Sequence, residues 1–106
     1  MKARSTKGNG NVFADIGVPD ADEHLAKADL VIGIASIIRS KGLTQSAAAK
    51  LIGIAQPDVS RLMRGNFDGF SYERLFHMLN ALGENVRVVI TDAKPKTKAT
   101  LEFAFA

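Results

Sequence analysis

Apolar residues recur at helical spacing through the middle of this chain and switch to strict alternation only near its end. Leu25, Ala28, Ile32 and Ala35 form one helical set and Leu30, Ile34 and Ile38 a second, which predicts a helix from Asp20 whose second half is deeply packed. Asp20 and Glu23 stand at capping-box spacing, and acidic groups suit the positive end of a helix dipole. Gly42 is the predicted stop. Two points stay open along this stretch. Asp29 could mark a bend between two helices. Gly33 either weakens the helix by about 1 kcal/mol or admits another backbone at close range.

From Thr44 to Gly65 the pattern predicts two short helices and a tight turn. Thr44 caps the first, and Ala48, Ala49, Leu51 and Ile52 give it an apolar side. Gly53 suits the left-handed backbone just past a helix end, with Ile54 covering the joint. Pro57 fits the first turn of the second helix, where a missing N–H costs little, and Val59, Leu62 and Met63 pack inward. Gly65 ends it. With that face buried, Gln56, Pro57, Asp58, Ser60, Arg61 and Arg64 are left outside, including the long donors that reach base edges and phosphates. An ordinary helical hairpin with a solvated polar face is the plainer alternative.

Asn66 to Gly69 follows as a turn, with Asn66 placed to donate to phosphate. Ser71 caps another helix, Phe70 staples onto Leu75, and Leu75, Phe76, Met78, Leu79 and Leu82 supply its core face before Gly83. Val86, Val88 and Ile90 then alternate with Arg87, Val89 and Thr91, the signature of a strand. A strand in a helical chain needs a partner for its backbone. Its own copy across a two-fold axis is one choice. The run Thr100 to Phe105, where Leu101, Phe103 and Phe105 alternate, is the other.

The net charge of +3 says little, but its distribution says more. Arg39, Lys41, Lys50, Arg61 and Arg64 against Asp58 make one segment basic; Asp15, Asp20, Asp22, Glu23 and Asp29 against Lys27 make another acidic. The chain of 106 residues allows one small domain with tails. Without cysteine it has no disulfide, thiol nucleophile or thiolate zinc site, in keeping with a reducing, cytoplasmic setting. His24 and His77 lack a second ligand at helical spacing, so no metal or other cofactor is expected. No phosphate loop or activated nucleophile is visible, and an enzyme is not expected.

The residues Leu43-Thr44-Gln45, Ala49, Leu51, Gly53-Ile54, Gln56-Pro57, Val59-Ser60-Arg61-Leu62 and Arg64-Gly65 resemble the Xre/phage-repressor helix-turn-helix family. With its flanks the chain looks like the antitoxin branch, the HigA-type partners of RelE-like toxins. The resemblance implies a mainly α fold, a lambda-repressor-like helix-turn-helix bundle, to which the alternating run Val86, Val88 and Ile90 adds a C-terminal β-strand used for dimerisation. It implies that Gln45 holds a phosphate beside Thr44, that Gln56, Pro57, Asp58 and Arg61 face bases, and that Ser60 and Arg64 hold backbone. One departure is Ala55, where the family often has a capping Ser or Thr.

The expected organisation is an N-terminal segment over residues 1–19, a DNA-binding domain with its dimerisation strand over 20–92, and a tail over 93–106. Val12, Phe13, Ile16 and Val18 give the first segment more apolar surface than a free tail shows. It either folds back on its own domain or lies on another protein, and the resemblance implies toxin binding. The function so implied is an operator-binding repressor, homodimeric on double-stranded DNA, that neutralises a RelE/HigB-like mRNA-cleaving toxin. A phage-type or metabolic repressor without a toxin is the alternative, and a scaffolding module without DNA binding a third.

Overall fold

The computed structural model describes residues 20–106. Four helices follow one another: α1 (Asp20–Ser40), α2 (Gln45–Ile52), α3 (Gln56–Met63) and α4 (Tyr72–Ala81). α1 is continuous through Asp29, so its 21 residues form one rod about 31 Å long. The helix ends are set by local chemistry. Thr44 Oγ1 accepts from Ala47 N at 3.0 Å, and Ser71 Oγ accepts from Arg74 N at 3.1 Å. At Gly53, φ is +87° and Ile54 N donates back to Ala49 O at 3.1 Å, closing α2 with the left-handed turn that a side chain would strain. The same six-residue return, Leu43 N to Ile38 O, Asn66 N to Arg61 O and Glu84 N to Leu79 O, closes the other three helices.

The core lies where α1 crosses α3 and α4 and where α2 meets α3. Leu30, Val31, Ile34, Ile38, Val59, Leu62, Phe70, Leu75 and Met78 are its largest fully buried side chains. No polar side chain is buried among the described residues. The expected set Leu30, Ile34 and Ile38 faces inward as its spacing predicts. The other set is split: Ala35 is buried and Ala28 half-buried, but Leu25 is 63 % and Ile32 62 % exposed, while Ala26 and Val31 are buried instead. Two interleaved apolar sets cover most of a helix circumference, and α1 has neighbours on only one side. Leu51 departs likewise. It is 52 % exposed, because Ala48, Ala49 and Ile52 already fill the narrow face that α2 turns to its neighbours.

The expected strand is not formed within the chain. Residues 84–94 are without regular structure, a turn follows in which Thr97 N donates to Lys94 O, and the last residues come back onto the helices, but no β-ladder forms among the described residues. Alternation alone does not make a strand, which needs a hydrogen-bonding neighbour, and neither run supplies one to the other. The returning run docks on the helices instead. Phe103 stacks on Tyr72 at 5.7 Å between centroids and meets Phe76 edge-on at 6.0 Å. Phe105 lies on Gly33, so the close approach expected there is made by a ring and not by backbone.

Candidate nucleic-acid interface

The turn at Gly53 sets α3 across α2, with Val59 and Leu62 buried beneath it. That burial decides what remains outside, since successive residues of a helix point about 100° apart. Gln56, Pro57, Ser60, Arg61 and Arg64 share one open concavity of about 490 Å³ with Gln45 from the first turn of α2. The structure thus brings together six of the nine positions singled out from sequence. Pro57 occupies the first turn of α3, and Ala55 before it has the extended backbone of a cap without a side-chain hydrogen bond.

The donors on this face are ordered by the chain itself. Arg64 Nη1 donates to Ser60 Oγ at 2.6 Å, one turn back along α3. Arg61 reaches three partners: Nη2 donates to Asp58 Oδ1 at 3.2 Å, Nη1 donates to Asp68 O at 3.1 Å, and its guanidinium carbon stands 5.1 Å from the Phe70 ring centre. Asp58 sits in the first turn of α3, where its charge suits the helix dipole, and its second oxygen accepts from Arg74 Nη2 at 3.5 Å. Thr44 lies beside Gln45 with its hydroxyl engaged as a cap, and the Asn66 side-chain oxygen accepts from Asp68 N at 3.2 Å. Thr44, Asp58 and Asn66 therefore border the concavity and do not line it.

Two residues of this network escaped the sequence reading. Arg74 comes from α4, outside the helix pair, and Phe70 is the ring that both guanidinium groups lie against. The usable signal was local: a cation in the first turn of a helix opposes the dipole, so Arg74 calls for an anionic partner. That the partner is Asp58, 16 residues earlier, only the fold decides.

A second recess, of about 300 Å³, lies between α1 and the turn after α3, lined by Glu23, His24, Lys27, Phe67, Asp68 and Gly69. Here the His24 ring packs 5.1 Å from Phe67, and Lys27 Nζ stands over Phe67 and Tyr72. Tyr72 hydroxyl donates to Glu23 O at 3.0 Å. Burial, with the Glu23 charge adding to it, pushes the Tyr72 phenol up to about 12. Among the described residues no three His, Asp or Glu side chains converge as a metal site. No described helix is long and apolar enough to cross a membrane.

Two short helices joined at a left-handed glycine, the second with a polar and basic outer face, define a helix-turn-helix module of the kind that docks on duplex DNA. Residues 12–91 match the family described as helix-turn-helix domain. A solved structure provisionally named XRE family transcriptional regulator superposes with a TM-score of 0.72 at 40 % identity, covering 83 % of this chain and 98 % of that one. No curated protein is matched. The chain belongs to the helix-turn-helix domain family and is Xre-like within it.

Proposed function

We propose that this protein is a sequence-specific transcriptional repressor that grips a palindromic operator as a homodimer, with α3 entering the major groove. The observation that carries this reading is the convergence of Gln45, Gln56, Pro57, Ser60, Arg61 and Arg64 on one open face, while the apolar side of α3 is buried. Gln56 and Arg61 have the donor geometry for base edges, and Gln45, Ser60 and Arg64, with Thr44 and Asn66 beside them, suit phosphates. A module this small gains specificity by pairing two reading helices about 34 Å apart, one turn of DNA. Residues 84–94 offer the pairing edge: Val86, Val88 and Ile90 are exposed, the last two at 70 % and 68 %, and their backbone has no ladder partner among the described residues.

We further propose that the repressor is the antitoxin of a type II toxin-antitoxin module and neutralises a RelE/HigB-like toxin through Val12, Phe13, Ile16 and Val18. Those residues lie outside the described part, and the support is the family resemblance together with the acidic, apolar character of the segment. A repressor without a toxin is the second reading; the similar solved structure is named for transcriptional regulation alone.

Selection of duplexes from a random pool by the full-length protein tests the first reading. Enrichment of a palindrome with half-sites one turn apart is expected, and binding that ignores sequence at two salt concentrations would end it. Coexpression with a short basic RelE-like partner tests the second. Growth arrest by that partner should be relieved by the full chain, and persistent arrest would leave only the repressor.

A further inference from the structure

Arg74 and Arg61 share Asp58 through different carboxylate oxygens. Asp58 Oδ1 accepts from Arg61 Nη2 at 3.2 Å and Oδ2 from Arg74 Nη2 at 3.5 Å. Both guanidinium groups lie against the buried ring of Phe70, their carbons 5.1 and 4.7 Å from its centre. One anion therefore serves two cations, and the cluster keeps one positive charge (two minus one) at the edge of the face that Arg61 shares with Gln56 and Arg64. Arg74 competes for Oδ2, and Arg61 places only one of its terminal nitrogens on Asp58. Its other nitrogen goes to Asp68 O, which holds the plane of the guanidinium beside the concavity.

We propose that Arg74, from outside the helix pair, is a positioning residue for DNA reading. It shares the Asp58 carboxylate with Arg61, one oxygen each, and thereby sets the direction in which Arg61 is presented to the duplex. Removing Arg74 lets Arg61 fold into a two-nitrogen pair with Asp58, one turn away along α3, and leaves the cluster neutral. A base contact is then lost, although no side chain that touches a base has been changed. The inference rests on the proposed DNA reading and deepens it.

The test uses the full-length protein and its selected operator. Arg74→Met keeps the aliphatic stem against Phe70 and removes charge and donors. Its affinity for the operator should fall roughly tenfold, the weight of one lost specific contact, with a much smaller fall on random duplex. Arg74→Lys keeps the charge without the fork and should recover part of the loss. In an Asp58→Asn background, Arg74→Met should change operator affinity little, because its effect passes through the carboxylate. In the free protein, the Arg61 side-chain nitrogen resonances should shift in Arg74→Met while the helical circular dichroism stays as in the wild type.

A full loss from Arg74→Met in the Asp58→Asn background, with the salt slope reduced by about one, would make Arg74 a direct phosphate contact and overturn the proposal. Unchanged discrimination in Arg74→Met would overturn it also. A wild-type protein with no preferred sequence would instead bring down the DNA reading itself, and the proposal with it.

Discussion

The far end of the Phe105 ring fills the space that a side chain at Gly33 would occupy: a Cβ built there would stand 2.1 Å from Cζ of the ring. A residue in the middle of the longest helix and one at the very end of the chain are thus fitted to one another. The contact gives Gly33 a reason to sit inside a helix that it weakens. It also ties the returning arm to α1, as Phe103 ties it to α4 through Tyr72 and Phe76.

Coupling between these two positions is therefore expected. Phe105→Ala should destabilise the wild-type protein by about 1 kcal/mol, a modest figure because the ring is half exposed. In a Gly33→Ala background, where the ring has already been displaced, Phe105→Ala should cost almost nothing, and Gly33→Ala itself returns up to about 1 kcal/mol of helix propensity. Urea titrations of the four proteins measure the cycle. Additive effects would mean that the ring does not rest on Gly33.

The exposed Leu25 and Ile32 on α1 yield a contrast within one helix. Leu25→Gln and Ile32→Gln should each change stability by less than about 0.5 kcal/mol, whereas Ile34→Ala, at a fully buried position, should cost about 2 to 5 kcal/mol. Denaturant midpoints compare them directly. A large loss at Ile32 would show that the inward face of α1 had been assigned wrongly.

Ala55 already has φ −70° and ψ 144°, close to the values at the capping residues Thr44 and Ser71, yet provides no oxygen. Ala55→Ser should supply one to the N–H of Asp58 and raise stability by about 1 kcal/mol without altering the rest of α3. Thermal unfolding of the two proteins decides this, and a lower midpoint for the variant would count against it.

Tyr72 gives the fold an alkaline limit. Its phenol ionises near pH 10 in an unfolded chain and is pushed up to about 12 in the native one, first by burial and then by Glu23. The native state holds this proton more tightly, so the associated stability is fully present below about pH 10 and is lost as pH rises through about 12. Tyr72→Phe should cost about 1 kcal/mol at neutral pH, through the lost bond to Glu23 O, and should decline less steeply over that alkaline window. Parallel stability profiles for the two proteins would contradict the placement of the hydroxyl.

Much of this molecule was legible in one dimension because its punctuation is local. Thr44, Gly53, Pro57, Gly65, Ser71 and Gly83 act on backbone within a few residues of themselves, so the ends of the four helices and the outward face of α3 could be read from spacing alone. The set Leu30, Ile34 and Ile38 was legible for the same reason. Which of two apolar sets on α1 turned inward was not, since that depends on which side α3 and α4 occupy. Nor was the fate of the alternating C-terminal runs, because periodicity predicts extended backbone but not the neighbour that would make it a sheet. Asp58 and Arg61 looked from sequence like two free readers of bases; the fold joins them to each other, to Phe70 and to Arg74. Charges and rings find partners by distance in space, and that distance exists only after the apolar faces have packed.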